Sequence, residues 1–244
     1  MNAKQLTEKL VSWIREQVSA AGCSGVVLGM SGGLDSSVLA VLCRRAFPKS
    51  TLGVIMPCYS SQEDVEHAQA VATKFSIPTK TVALDAVFDT LLQALPDDKG
   101  DPASSRLAKG NLKPRLRMLT LYYFANQLNY MVAGAGNRSE LTIGYFTKYG
   151  DGGVDILPLG NLVKGEVKEL ARFLDIPQEI IDKPPSAGLW EGQTDEEELG
   201  LSYADLDRYL VTGKANDELR RKIESMIAAS NHKRRLPPVA SFET

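Results

Sequence analysis

Apolar residues near the start of the chain recur every four positions, at Leu6, Leu10, Ile14 and Val18, which is one face of an amphipathic helix. The pattern then shortens. Apolar runs at 26–30, 51–56 and 79–84 predict strands, and the helical patterns between them predict helices at 36–46 and 62–75. Ser60-Ser61 ahead of Glu63 and Asp64 has capping-box spacing for the second of those helices. The polar, proline-containing stretch 96–105 predicts a surface loop, and 183–198 a second long one. Between and beyond them the pattern predicts a helix at 114–128, a fourth strand at 130–133 and a short fifth around Ile156-Leu157. Helices are expected at 165–174, 203–210 and 217–229, and the basic run HKRR at 232–235 follows.

Strand–helix alternation of this kind predicts an α/β fold: a Rossmann-like, doubly wound parallel sheet of about five strands with helices on both faces. Right-handed crossovers, with strand four returning beside strand one, give the order 3-2-1-4-5. No internal repeat or second domain is evident, so residues 1–244 are expected to form a single domain. In this order strands one and four meet at the topological switch point, beyond whose carboxyl ends such sheets bind ligands.

The chain leaves strand one through Gly29, Met30, Ser31, Gly32, Gly33, Leu34, Asp35, Ser36 and Ser37, and strand four through GAGNRSE at 134–140. Gly32 and Gly33 can adopt positive φ and let backbone N–H groups point inward. Ser31, Ser36 and Ser37 add hydroxyls, and a helix starting near Ser36 adds the positive end of its dipole. Together these suit a phosphate. Asp35 would repel that phosphate unless a divalent cation lay between them. Glu140 on the facing loop is a plausible second ligand, and Mg²⁺ the usual hard cation for carboxylates and phosphates. The loop is neither a Walker A nor a dinucleotide fingerprint. A serine-capped turn is the plain alternative.

Composition narrows the class. Apolar residues make up 43% and charged residues 24% of 244, an ordinary globular balance. No apolar run approaches the ~18 residues of a membrane span, and the mixed-charge N-terminus does not read as a signal peptide. A net charge of −2 gives no general affinity for nucleic acid. Cys23, Cys43 and Cys58 lack metal or redox spacing and read as reduced thiols of a cytoplasmic protein. His67 and Glu66 read as a solvated helix face, and the DEEE run at 195–198 as a solvated helix start that could belong to a lid.

SGGLDSS resembles the pyrophosphate-gripping loop of the N-type ATP pyrophosphatases. NLKPRLRM at 111–118, GNRSE at 136–140, GYFTKYGDGGVDILPLGNLVK at 144–164 and HKRR narrow the resemblance to the ammonia-dependent NAD synthetases. It spans about residues 26–235 and is most specific in YFTKYGDGG. The resemblance implies amidation of deamido-NAD by ammonia, through an acyl adenylate, to give NAD, AMP and pyrophosphate. It implies that Gly29, Met30, Ser31, Gly32, Gly33, Leu34, Asp35, Ser36, Ala135, Lys164 and Ser186 contact ATP. By the same resemblance Asp35 and Glu140 bind Mg²⁺, and Asp35 and Lys164 are catalytic. Arg115, Lys148, Asp155, His232 and Lys233 match positions that bind deamido-NAD. Ala135 departs from the threonine of many relatives and loses a hydroxyl there.

The implied partners are the small molecules ATP, deamido-NAD and ammonia, with a homodimer as the assembly and neither nucleic acid nor membrane. Arg117, two residues from Arg115, cannot share its helix face and is expected to be structural or solvent-facing. Tyr145, Phe146 and Tyr149 could stack on nicotinate or pack in the core. Two alternatives stand beside this reading: a related adenylating enzyme acting on tRNA, and a non-catalytic ATP-binding module.

Overall fold

The computed structural model describes residues 2–96, 101–190 and 192–242. Helix α1 (Ala3–Ala20) leads through a glycine turn to β1 (Gly25–Gly29), followed by α2 (Leu34–Ala46), β2 (Thr51–Ile55), α3 (Gln62–Lys74) and β3 (Thr79–Thr81). Helices α4 (Asp85–Ala94) and α5 (Pro102–Leu128) come next, then β4 (Tyr130–Val132) and α6 (Arg138–Ile143). The remainder is helical: α7 (Lys164–Phe173), α8 (Gln178–Asp182), α9 (Asp195–Leu199), α10 (Tyr203–Thr212) and α11 (Asp217–Ala229), closed by a 3₁₀ turn at Asn231–Lys233.

The sheet is parallel, in the order β3-β2-β1-β4. Val26 lies opposite Thr51 on one side and Met131 on the other, and Gly53 lies opposite Thr79. Side chains alternate across the pleat. Val26 and Leu28 of β1 face a layer from α1, α2, α3 and α7 that includes Ile14, Leu39, Leu42, Val71 and Leu170. Val27 faces the opposite layer, built from Phe88 of α4 and Leu116, Leu121 and Phe124 of α5. Both faces are covered, which is why β1 reads as a continuous apolar run. Leu28, Leu39 and Leu42 are at most 1% exposed, and each contributes roughly 1.5–3 kcal/mol by burial. A third cluster, around Ile143, Leu206 and Ile223, ties α6 to α10 and α11.

Among the described residues four strands form, not five. The segment expected as the fifth contributes a single parallel bridge, Ala133 to Ile156. Pro158 follows at once and has no N–H for the next rung. β3 is also shorter than its apolar pattern, because the chain turns at Leu84 into the unexpected helix α4. The expected loop at 96–105 ends early; residues 97–100 of it lie outside the described residues. Asp101 caps α5 by accepting from the Ser104 N–H at 3.1 Å, and Pro102 takes the first turn, where its missing N–H costs nothing. Pro114, read as a helix start, instead lies inside α5. All three cysteines are free; Cys43 and Cys58 are buried. No helix among the described residues is long and apolar enough to cross a membrane.

Asn129 fixes where β4 begins. It ends α5 in the left-handed region (φ 55°) and gives its side-chain N–H to the carbonyl of Gly22 at 3.1 Å. Its own carbonyl accepts from Ser24, just ahead of β1, at 2.8 Å. Alanine at a left-handed position costs about 1–2 kcal/mol, which glycine avoids. Asn129→Ala should therefore lower Tm by roughly 2–8 °C and Asn129→Gly by clearly less. Equal losses in thermal melts would remove the left-handed constraint from the account.

Candidate active site

The carboxyl ends of β1 and β4 lie side by side, and the loops leaving them carry the chemistry. Gly32 takes φ +80°, and a Cβ there would run into the backbone oxygen of Asp64 on α3, so the position requires glycine. Gly33 does not share that conformation. It is extended (φ −85°) and serves as the N-cap of α2. The serines hold the loop's shape: Ser36 Oγ lies 2.9 Å from Ser31 Oγ and donates to the Gly33 carbonyl at 3.0 Å, and Ser37 Oγ donates to the same carbonyl at 2.7 Å. Among the described residues no side chain caps α2, so its first-turn amides stay open to an anion.

Three helix N-termini converge beside this loop. Asp35 stands on the first turn of α2, Glu140 on the first turn of α6, and Lys164 is the first residue of α7. The Lys164 ammonium sits between the acids, 2.5 Å from Asp35 Oδ2 and 3.2 Å from Glu140 Oε1. The three side chains are only 13–17% exposed. Burial pushes Glu140 up to about 7, against the pull of Lys164. Burial opposes charge on Lys164 too, but Asp35 and Glu140 outweigh it and raise its pKa.

Asn137, fully buried, arranges both carboxylates. Its amide N–H donates to Asp35 Oδ1 at 2.9 Å, its side-chain oxygen accepts from the Glu140 N–H at 3.0 Å, and its own N–H donates to Glu140 Oε2 at 3.2 Å. Sequence reasoning missed this asparagine, although Asn followed three residues later by Glu is a capping-box spacing. Asp207 was missed as well. It accepts from Ser139 Oγ at 2.6 Å and from the Gly165 N–H at 2.8 Å, and so fixes α6 against the start of α7.

The segment 183–199 is tied at both ends. Lys183 pairs with Glu63 and Asp64, each at 2.8 Å. At the other end Asp195 is 4% exposed, not solvated as expected, and accepts from the hydroxyls of Tyr145 and Tyr203 at 3.1 and 3.0 Å. Burial raises its carboxyl above the usual range. The Tyr203 ring lies 5.1 Å from Lys164 Nζ, so the end of this segment contacts the carboxylate cluster through one tyrosine. Tyr145 also donates to Glu198 at 2.9 Å, so its role here is to tether the segment.

The cations expected for a second ligand gather elsewhere in the crevice. Arg115 donates to the Lys148 carbonyl at 3.4 Å, and Lys148 Nζ to the His232 carbonyl at 2.9 Å. Lys233 donates to the carbonyls of Gly144 and Phe146 at 2.8 and 2.9 Å, above the Phe146 ring. Asp155 accepts from Tyr122 Oη and the Val132 N–H at 2.8 and 2.7 Å. Arg117 is structural, donating to the Met56 carbonyl and Ser60 Oγ. Ala135 packs against the core, and Ser186 is exposed, accepting from the Gly188 N–H at 3.1 Å.

The donor set fits Mg²⁺ with phosphates. Asp35 and Glu140 offer hard oxygens around one point, now held by an ammonium. No group of three or more metal-ligating His, Cys, Asp or Glu side chains occurs among the described residues. Mg²⁺ characteristically takes one or two carboxylates and completes its shell with phosphate and water.

A family model described as NAD synthase matches residues 6–237. The NH(3)-dependent NAD(+) synthetase of Carboxydothermus hydrogenoformans is 52% identical, over 98% of this chain and 98% of the relative. Among solved structures, NMN synthetase from Francisella tularensis superposes with a TM-score of 0.92 at 36% identity, covering 99% of this chain and 100% of that one. NH3-dependent NAD synthetase from Campylobacter jejuni gives 0.81 at 27% identity, covering 99% and 100%.

Lys164→Met leaves two half-desolvated carboxylates facing each other. Breaking such a buried pair costs about 3 kcal/mol or more, so Tm in EDTA should fall by roughly 6–12 °C. Millimolar Mg²⁺ should recover part of that loss while moving the parent protein little. A variant indifferent to Mg²⁺ would show that Asp35 and Glu140 do not converge on a cation.

Proposed function

The chain belongs to the NAD synthase family, and from that premise we propose the reaction its site performs: amidation of deamido-NAD by free ammonia, driven by cleavage of ATP to AMP and pyrophosphate. The observation that carries the reading is the open N-terminus of α2 next to the Asp35–Lys164–Glu140 cluster, in a chain matched along 6–237.

The order of steps follows from the chemistry. The nicotinate carboxylate attacks the α-phosphorus, the bond to the β-phosphate breaks, and pyrophosphate leaves with the electron pair. Ammonia then attacks the acyl adenylate, AMP departs, and the amide nitrogen gives up its extra proton. No protein nucleophile is needed. The amides of the 31–36 loop bind the polyphosphate, and the α2 dipole stabilises the charge that grows on pyrophosphate. Lys164 places a fixed positive charge beside the reacting phosphate. Asp35 and Glu140 would hold Mg²⁺, which when bound offsets phosphate charge and eases pyrophosphate departure. Asn137 keeps both carboxylates in place. Arg115, Lys148, Asp155, His232 and Lys233 recognise the dinucleotide, with Ala135 and Ser186 on the ATP side.

A second acceptor is favoured by one observation. The 0.92 superposition is with an NMN synthetase, so nicotinate mononucleotide is to be compared with deamido-NAD. We read the protein as a single catalytic domain of the cytoplasm and as a homodimer. Leu119 and Tyr123, one turn apart on α5, are 64% and 62% exposed, an apolar face suited to a second copy.

With ATP, Mg²⁺, ammonium and deamido-NAD the purified protein should form one AMP per NAD, and little AMP without the acceptor. Glutamine should not replace ammonium. Asp35→Asn should lower kcat about 100-fold, or ~2.7 kcal/mol, with a smaller loss of Tm than Lys164→Met, because Glu140 still balances Lys164. Lys148→Ala should instead raise KM for deamido-NAD about tenfold and leave ATP affinity unaltered. AMP release independent of any acceptor would refute the ligase reading. A kcat/KM that favours the mononucleotide would reassign the acceptor.

A further inference from the structure

A second cavity, of about 450 Å³, lies between the N-terminal half of α5, the loop after β2 and the segment 183–199. Arg106, Lys109 and Lys113 line it from one face of α5, and Tyr59, Phe88 and Trp190 supply aromatic walls. Lys113 is 7% exposed. Its ammonium lies 5.8 and 5.9 Å from the Tyr59 and Phe88 ring centres and forms no ion pair or hydrogen bond with any described residue. Burial lowers its pKa. The nearby acids are already engaged, Asp85 by the Tyr59 N–H at 2.7 Å and Asp89 by Tyr59 Oη at 2.6 Å. A cation held that far from water without an anion is costly unless something completes it.

The far wall is fitted as closely. Gly110 sits inside α5, where glycine costs up to about 1 kcal/mol relative to alanine. A Cβ there would meet Leu189 and Trp190 at 3.4 Å, an ordinary contact distance, so that segment lies directly on the helix at this position. Trp190 in turn stacks under the Arg106 guanidinium, 4.4 Å from ring centre to Cζ. The cavity therefore offers flat apolar surfaces and an uncompensated cation side by side. No hydrogen bond among the described residues joins its lining side chains to Asp35, Glu140 or Lys164.

We propose that this cavity binds a nucleoside monophosphate group, with the base against Trp190 and Tyr59 and the phosphate on Lys113 and Lys109. Both adenosine and pyridine mononucleotides have this chemistry, and the test separates them. A Trp13→Phe protein retains Trp190 as its sole tryptophan, so emission reports this wall directly. AMP, nicotinamide mononucleotide and inorganic phosphate are titrated without ATP or Mg²⁺, and no turnover is read. Failure here would therefore leave the amidation reading untouched, and the reverse also holds.

One mononucleotide should change Trp190 emission saturably, at concentrations where phosphate does nothing. Lys113→Met should weaken that binding about tenfold or more, equivalent to ~1.4 kcal/mol. Lys109→Gln, an exposed substitution that spares the fold, should weaken it in the same direction. The proposal is overturned if neither mononucleotide gives a saturable change, or if phosphate alone matches them. It is equally overturned if affinity is unchanged in both variants, which would place the ligand on the 31–36 loop.

Discussion

Two carboxylates and one ammonium, packed at the meeting of three helix N-termini, set the terms for the rest of the molecule. Asp35, Glu140 and Lys164 together carry one net negative charge when all are ionised, in a region only slightly open to water. Such a cluster forms only if elements far apart in sequence are brought to one point. The neighbouring of β1 and β4 does this for Asp35 and Glu140, and the packing of α7 beside α2 does it for Lys164. Left alone, each acid would favour the positive end of its own helix. Asn137 overrides that freedom by bonding to both. The two carboxylates are thus fixed against each other and against Lys164 by bonds to one buried residue.

The covering segment is different in character. Between Lys183 and Gln193 the described chain has no fully buried side chain; polar contacts hold its start, and at its end Asp195 is joined by Leu199, which packs in the cluster around Leu206. Regions of few buried apolar contacts open at little cost in free energy. The two anchors nonetheless touch both halves of the site. Lys183 holds Asp64, whose carbonyl crowds Gly32, and Asp195 holds Tyr203 over Lys164. Movement of this segment would be felt at the phosphate loop and at the carboxylate cluster together.

Much of this was readable in the chain, for local reasons. The strand order 3-2-1-4 and the meeting of Asp35 with Glu140 follow from short-range patterns plus one handedness rule. What escaped was tertiary. Burial of Asp195 depends on two tyrosines at positions 145 and 203, and nothing in DEEE reveals them. Asn137 was visible as a cap, but its bond to Asp35 spans the crevice. α4 does carry helical spacing, at Phe88, Leu91 and Leu92, and was passed over; the first turns of α5 lie in a weakly periodic stretch, and Pro114 carried the ordinary start signal of a helix already under way. The fifth strand failed for a reason the sequence did show, Pro158, which weighed too little against two apolar residues.

The two halves of the crevice differ in how their charges are balanced. Around Lys164 charge meets charge. Around Lys148 and Lys233 the ammonium groups donate to backbone carbonyls, as Arg115 does, and no ion pair of these three is found among the described residues. Neutral acceptors fix the position of a cation without cancelling its charge, so the field of these side chains extends into the crevice. On the proposed reaction, a ligand carrying both a pyrophosphate and a carboxylate would be drawn to that end. The polyphosphate of ATP would then lie on the open amides of α2 and on a cation between Asp35 and Glu140. That division would place the two anions against different partners, so that they could approach each other despite their repulsion, as attack of a carboxylate on a phosphate requires.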